Sequence, residues 1–312
     1  MKLSKIVGYL NMLQAGGLEP DCDLAIGQLS SISHTVGNHQ LQFANSSDEL
    51  AADLVQVRAS IEKFQSTVAG IKTRLKDEIA RQAAEYYQMS TVLFEQEMIF
   101  ETPDYILNRR LPIDAENRER ITGRIKAYGD WRLPGMIIRP GLESFIEDMV
   151  PLDPLYVVDH HDELLQPCVS KFTPEYQRRL RLYKINDREV TGILKDLPDN
   201  QFGFIFAYNF LNYKPIEVLD RYLREFHVKL RPGGRAVFTY NDCDYPQGVG
   251  LAENNFMCYT PGSRIKAILT NIGFELVEHH VGPYDIAWME IKKSGEITSL
   301  RGGQTLAKII RK

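Results

Sequence analysis

The sequence predicts a doubly wound, mostly parallel α/β sheet domain over its last two-thirds, preceded by a long helical region with coiled-coil character. Three features of the chain lead there. From about Trp131 onward, short apolar runs alternate with amphipathic stretches, the rhythm of strands separated by helices. The last two apolar runs have no helix between them, which marks an antiparallel edge hairpin. Between Leu50 and Leu75, by contrast, apolar residues recur at alternating spacings of four and three.

That last pattern is a heptad seam: Leu50, Leu54, Val57, Ile61, Phe64, Val68, Ile71 and Leu75 fill its core positions. Ser46 and Glu49 form a capping box just ahead of it. After Leu75 the register slips to Ile79, Ala83, Tyr86 and Leu93, a stutter in the repeat. No proline lies between Pro20 and Pro103, and Gly70 is the only glycine within the seam. One helix from about Asp48 to Met98 follows, roughly 75 Å long at ~1.5 Å per residue. Its seam needs a partner, which can be a second copy, the segment before Asn45, or another protein. The favoured reading is a homo-oligomer held through residues 48–98. Ahead of the seam, Leu3–Leu13 and Leu24–Ile32 read as helical, broken by Gly16, Gly17 and Pro20. Residues 1–100 therefore read as a helical oligomerisation region. Residues 101–130 read as a polar connector carrying one helix, Ala115–Tyr128, and residues 131–312 as the sheet domain.

Within the sheet domain the expected strands are Gly135–Ile138, Leu155–Val158, Leu180–Ile185, Phe202–Tyr208, Gly234–Tyr240, Phe274–Val281 and Ile286–Ile291. Helical patterns occupy Leu142–Met149, Pro215–Leu230 and Pro261–Ile272, and the closing hairpin turns near Gly282–Pro283. Strands interleaved with helices in this way give a sheet covered on both faces.

Composition narrows the function classes. The 312 residues are 44% hydrophobic and 25% charged with a net charge of −4, so no global basic field points to nucleic acid or an anionic membrane. Cys22, Cys168, Cys243 and Cys258 contain no C-x-x-C pair, which fits neither a disulfide framework nor a zinc site. The polar start lacks the apolar core of a signal peptide, and no run approaches the ~20 apolar residues of a membrane span. The expectation is a soluble, cytoplasmic protein with no metal site.

In open parallel sheets, ligands bind beyond the carboxyl ends of the strands, where the strand order reverses. The first strand ends in a turn, Arg139-Pro140-Gly141, that can bring backbone and a helix start close to a ligand. Asp159 closes the second strand, and an acid there can accept both ribose hydroxyls of an adenosine; His160 and His161 follow it. Asn186 and Asp187 close the third, with Asp187 suited to an adenine amino group. Tyr208, Asn209 and Asn212 follow the fourth strand, and Tyr240, Asn241, Asp242 and Asp244 the fifth. Asn and Asp in such clusters also serve turns by bonding their own backbone. His279-His280 falls inside a strand, with one ring expected outside, and Trp288 reads as core.

At these residues, from about Pro134 to Lys292, the chain resembles the class I S-adenosylmethionine-dependent methyltransferases. The resemblance rests on Leu230-Arg231-Pro232-Gly233-Gly234 before the fifth strand, Asp159 after the second, Leu197-Pro198-Asp199-Asn200-Gln201-Phe202 leading into the fourth, and Gly273-Phe274 before the closing hairpin. Together with Tyr240-Asn241-Asp242-Cys243-Asp244 and Arg301-Gly302-Gly303-Gln304, it extends to methyltransferase-like proteins of tailed bacteriophages, whose setting is the host cytoplasm or the virion. One departure stands out. Where the family has acid-x-Gly-x-Gly-x-Gly, this chain has Ile137, Arg139, Gly141 and Glu143, so one glycine of three is kept. The resemblance implies S-adenosylmethionine held by Arg139, Gly141, Asp159, His160, Asn186, Asp187 and Tyr208, with Asn209 and Asp242 as catalytic residues facing an unknown methyl acceptor. Arg139 could serve the cofactor carboxylate by a bidentate contact, or fill the pocket itself. Two readings therefore stand open: a methyltransferase, or a catalytically inactive methyltransferase-like structural or assembly protein.

Overall fold

A computed structural model describes residues 22–38, 48–99, 102–108, 115–140, 145–170, 172–188, 192–281 and 287–297. Along the sequence the chain divides into two compact units at Tyr86/Tyr87. The expected helix Leu3–Leu13, the Ser46 cap, Gly141 and the Gly282–Pro283 link lie outside the described residues.

In the first unit, helix α1 (residues 22–38) lies antiparallel to the early part of helix α2 (Asp48–Glu95). Three contacts fix the direction. Asp23 pairs with Lys72 at 2.5 Å, Gln65 donates to the Ser30 hydroxyl at 2.9 Å, and Gly37 sits beside the Arg58 guanidinium. Each step of seven along α1 meets a step of seven back along α2, the register of a coiled-coil pair. The segment before Asn45 is thus one partner of the seam. It covers only part of it: Val68 is buried and Leu54, Ile61 and Leu75 half-buried, while Val57, Phe64 and Ile71 stay exposed. Helix α2 ends at Glu95, where Glu97 turns to φ 58° and the Met98 amide bonds back to Leu93. Such a left-handed stop satisfies the last carbonyls.

The second unit is built on seven strands in the order β3-β2-β1-β4-β5-β7-β6. They are β1 (Gly135–Ile138), β2 (Leu155–Asp159), β3 (Leu180–Lys184), β4 (Phe202–Ala207), β5 (Leu230–Tyr240), β6 (Phe274–Val281) and β7 (Ala287–Lys293). The first five run parallel, and β7 runs antiparallel between β5 and β6. This is the expected doubly wound, mostly parallel Rossmann-like sheet, with the order reversing at β1. Parallel strands covered on both faces bury every side chain, so β1 and β4 are fully buried. One face packs Met136, Ile138, Ile205 and Phe238 under helices α8 (Ile216–Lys229) and α10 (Gly262–Ile272). The other packs Ile137, Val157, Phe204 and Phe206 under α4 (Ala115–Tyr128), α5 (Phe145–Asp148) and α6 (Asp162–Val169), while α3 (Pro103–Asn108), α7 (Pro174–Gln177) and α9 (Pro246–Glu253) are short connecting helices.

Helix α4, from the polar connector, is docked by chemistry as well as by Ile121 and Ile125. The Tyr128 hydroxyl donates to buried Glu290 at 2.7 Å, and Asn117 accepts from the Trp288 indole at 2.9 Å. Arg235 and Arg124 neutralise Glu290 at 2.5 and 3.3 Å. One strand begins earlier than its sequence suggests. Residues 230–234, readable as a turn, join β5 through an irregularity in which Phe202 faces Leu230 and Phe204 faces Arg235. Gly233 holds φ 76° there, and a Cβ on it would lie 2.4 Å from the Ile297 nitrogen. Only glycine fits.

Candidate functional site

The carboxyl ends of β2, β1 and β4 lie side by side at the reversal point, so Asp159, Arg139 and Asn209 meet there by topology alone. Arg139 continues the β1 ladder, donating its amide to Val158 at 2.8 Å, then turns to φ 54°. That left-handed geometry suits the glycine expected in a loop of this kind, and a branched-off side chain strains it.

The Arg139 side chain does not reach into solvent. It is 1% exposed, and Asp159 beside it is 0% exposed. Its Nε lies 3.4 Å from Asp159 Oδ2, Nη1 donates to the Asn209 carbonyl at 3.3 Å, and Nη2 lies 3.4 Å from His160 Nε2. The guanidinium also sits 4.9 Å from the Phe210 ring centre and 5.7 Å from that of Tyr213. The other carboxylate oxygen of Asp159 accepts the His160 and His161 amides at 2.7 and 3.1 Å. Both oxygens of Asp159 are therefore occupied by this chain.

The same holds one strand further out. Asp187 pairs with buried Lys214 at 2.6 Å, and the Lys214 ammonium lies 4.8 Å from the Phe210 ring and 5.3 Å from Phe94. Phe210 thus carries two cations, Arg139 and Lys214, each matched to one strand-end acid. Asn186 is exposed and accepts the Arg188 amide at 3.1 Å, closing its own turn.

Two polar atoms at the end of β4 remain unmatched. The Tyr208 hydroxyl and Asn209 Oδ1 are buried with no hydrogen-bond partner among the described residues. Burial pushes the Tyr208 pKa well above its ordinary value, so the hydroxyl stays protonated. Asn209 itself is at φ 50°, held by its amide bond to the Thr239 hydroxyl at 2.7 Å.

Asp242 belongs to a different cluster. Its Oδ2 accepts the Tyr240 hydroxyl at 2.7 Å and lies 3.3 Å from His279 Nε2, while Oδ1 accepts the Asp244 and Gly262 amides at 3.0 and 2.9 Å. Burial alone would raise its pKa. The bonds from His279, Tyr240 and the two amides outweigh that and hold the carboxyl below its usual range. A Cβ on Gly262 would sit 2.6 Å from both Asp242 Oδ2 and the Tyr240 oxygen, so glycine permits the close approach of α10.

The sequence-derived site thus divides. Arg139, Asp159, His160 and Asn209 are in direct contact, Asp187 joins them through Lys214 and Phe210, and Asp242 stands with Tyr240 and His279. Lys214 was not legible as a site residue, since a lysine before the Pro215 that opens a helix reads as solvated.

No family model matches the chain, and no curated protein does. Solved structures similar to it include an S-adenosylmethionine-dependent methyltransferase from Mesorhizobium loti, at 13% identity over 59% of this chain and 100% of that one, with a TM-score of 0.46. The N-methyltransferase NodS from Bradyrhizobium japonicum, in complex with S-adenosylhomocysteine, is 16% identical over 64% and 96% of the two chains, with a TM-score of 0.44. The [4+2]-cyclase SpnF is 12% identical over 68% and 97%, also at 0.44. At these values the assignment of the site rests on this chain's own geometry.

That geometry does not fit a bound adenosine as it stands. Ribose hydroxyls at Asp159 would have to displace Arg139, and an adenine amino group at Asp187 would compete with Lys214.

Proposed function

We propose that the sheet domain is a methyltransferase-type scaffold closed over its own nucleoside site, serving binding or assembly rather than methyl transfer. The buried Arg139–Asp159 pair supports this reading above all. A charge pair with both members out of water costs several kcal/mol to separate, typically ~3–5. Binding of a neutral ribose would have to recover that cost before gaining affinity. The second reading, a methyltransferase of unestablished acceptor, is favoured by the Tyr208 hydroxyl and Asn209 Oδ1. Unsatisfied buried groups cost ~1–3 kcal/mol each, and a ligand could satisfy them. Asn209 and Asp242 as acceptor-facing residues belong to that second reading.

Calorimetric titration with S-adenosylhomocysteine separates the two. A self-occupied site predicts no wild-type binding at millimolar ligand and measurable binding in Arg139→Gly, which frees Asp159. An adapted enzyme predicts wild-type binding that falls in both Arg139→Ala and Asp159→Ala. Wild-type binding at micromolar ligand would overturn the closed-site reading.

A further inference from the structure

We infer that two copies of this chain associate through the open side of α2, running antiparallel with Phe64 of each near the two-fold axis. The inference stands apart from the cofactor question, since it concerns the first unit alone.

The heptad seam has two flanks, and α1 covers one. On the other, Val57, Phe64 and Ile71 lie one above the next at steps of seven, 47%, 57% and 40% exposed. Val57 and Phe64 share a shallow apolar groove with Leu29 and Ile61, rimmed by Asp53, Gln56 and Ser60. The described residues leave this row open to solvent, and small helical units are stabilised by further packing.

The polar residues beside the row identify the occupant. On the flank away from α1, offset by three or four residues from the apolar row, the sequence places Asp53, Ser60, Thr67 and Arg74, all exposed. An acid stands at one end and a base at the other. A second copy laid antiparallel about Phe64 sets Val57 against Ile71, Ser60 against Thr67, and Asp53 against Arg74, each pair formed twice. A parallel copy would carry the two columns to opposite sides of the contact, where Asp53 and Arg74 of one chain meet neither residue of the other. The row is therefore self-complementary in the antiparallel orientation alone, the form an isologous dimer contact takes.

Sedimentation of the full chain over a concentration series tests this. The wild type is expected to show twice the chain mass, and Phe64→Asp the mass of one chain with unchanged helical content. Because Phe64→Asp also alters α2 itself, charge reversal on the exposed flank provides a second arm. Asp53→Lys and Arg74→Glu should each weaken dimerisation about tenfold, and the double variant should recover most of it. Orientation is read by disulfide trapping in a Cys22→Ser background. Mixed Val57→Cys and Ile71→Cys chains should cross-link to each other, and Val57→Cys chains should not cross-link among themselves. A monomeric wild type, a dimer that survives Phe64→Asp, failure of the double charge variant to recover, or Val57→Cys self-cross-linking would each overturn the inference.

Discussion

The ends of β2 and β5 each bury an aspartate, and the two are stabilised by opposite means. Asp159 faces a permanent cation, Arg139, at 3.4 Å, with two backbone amides on its second oxygen. Asp242 faces a tyrosine hydroxyl and a histidine ring, again with two backbone amides on its second oxygen. The amide halves are alike, so the difference lies in the partner of Oδ2. A guanidinium cannot give up its charge or accept a hydrogen bond, so Arg139 can only donate to Asp159. The tyrosine and histidine can exchange donor and acceptor roles, so the Asp242 cluster can rearrange its protons without leaving a charge stranded. The first arrangement locks the ends of β1 and β2 together. The second ties β5, β6 and the start of α10 together while remaining adjustable.

The largest expected effect follows from removing the fixed cation. Arg139→Ala leaves Asp159 buried without its ion pair and should destabilise the sheet unit by about 3–5 kcal/mol, a large part of a domain's usual margin. Asp242→Asn keeps an oxygen for the Gly262 and Asp244 amides and an amide group facing the Tyr240 oxygen, so its cost should be about 1 kcal/mol. Urea unfolding of the two variants beside the wild type measures both. Equal losses would show that Arg139 contributes by packing against Phe210 and Tyr213 rather than by charge.

A smaller effect separates the clusters by pH. The Asp242 carboxyl has a folded pKa below its unfolded value of about 3.9, so the folded state binds its proton less readily. Its contribution to stability is complete above that unfolded value and is lost as pH falls toward the folded pKa. The stability gap between wild type and Asp242→Asn should therefore hold constant from about pH 7 to 5 and narrow below about pH 4. Unfolding measured from pH 3 to 7 checks this, and a gap that widens on acidification would reverse the assigned sign.

Much of this was legible in the sequence because it depends on local pattern. The strand runs from Gly135 to Val281, the antiparallel hairpin and the acids Asp159 and Asp187 all follow from period and from position at strand ends. Residues 230–234 were not legible as strand, because a Pro-Gly-Gly sequence signals a turn and only pairing with β4 extends it. The single-turn and two-turn helices, such as Asp162–Val169 and Pro246–Glu253, are too short to show a period. The burial of Lys214 and the tie from His279 to Asp242 were hidden for another reason. Each depends on residues tens of positions apart in sequence, and no local pattern encodes which cation finds which acid.

The finest distinction concerns the backbone at Arg139. Arg139→Ala and Arg139→Gly remove the same guanidinium and leave Asp159 equally unpaired, so their electrostatic losses should cancel in the comparison. They differ in what the backbone must tolerate, for residue 139 holds φ 54°. Alanine keeps a Cβ in that left-handed geometry at a cost of roughly 1 kcal/mol, and glycine carries no such cost, although it gives up more freedom on folding. Arg139→Gly should therefore be the more stable of the two by up to about 1 kcal/mol, visible as a higher urea midpoint at equal slope. A midpoint lower than that of Arg139→Ala would mean that the turn relaxes once the side chain is gone. The strain would then belong to the Arg139–Asp159 pairing itself, with the arginine pulled into the site at the expense of its own backbone.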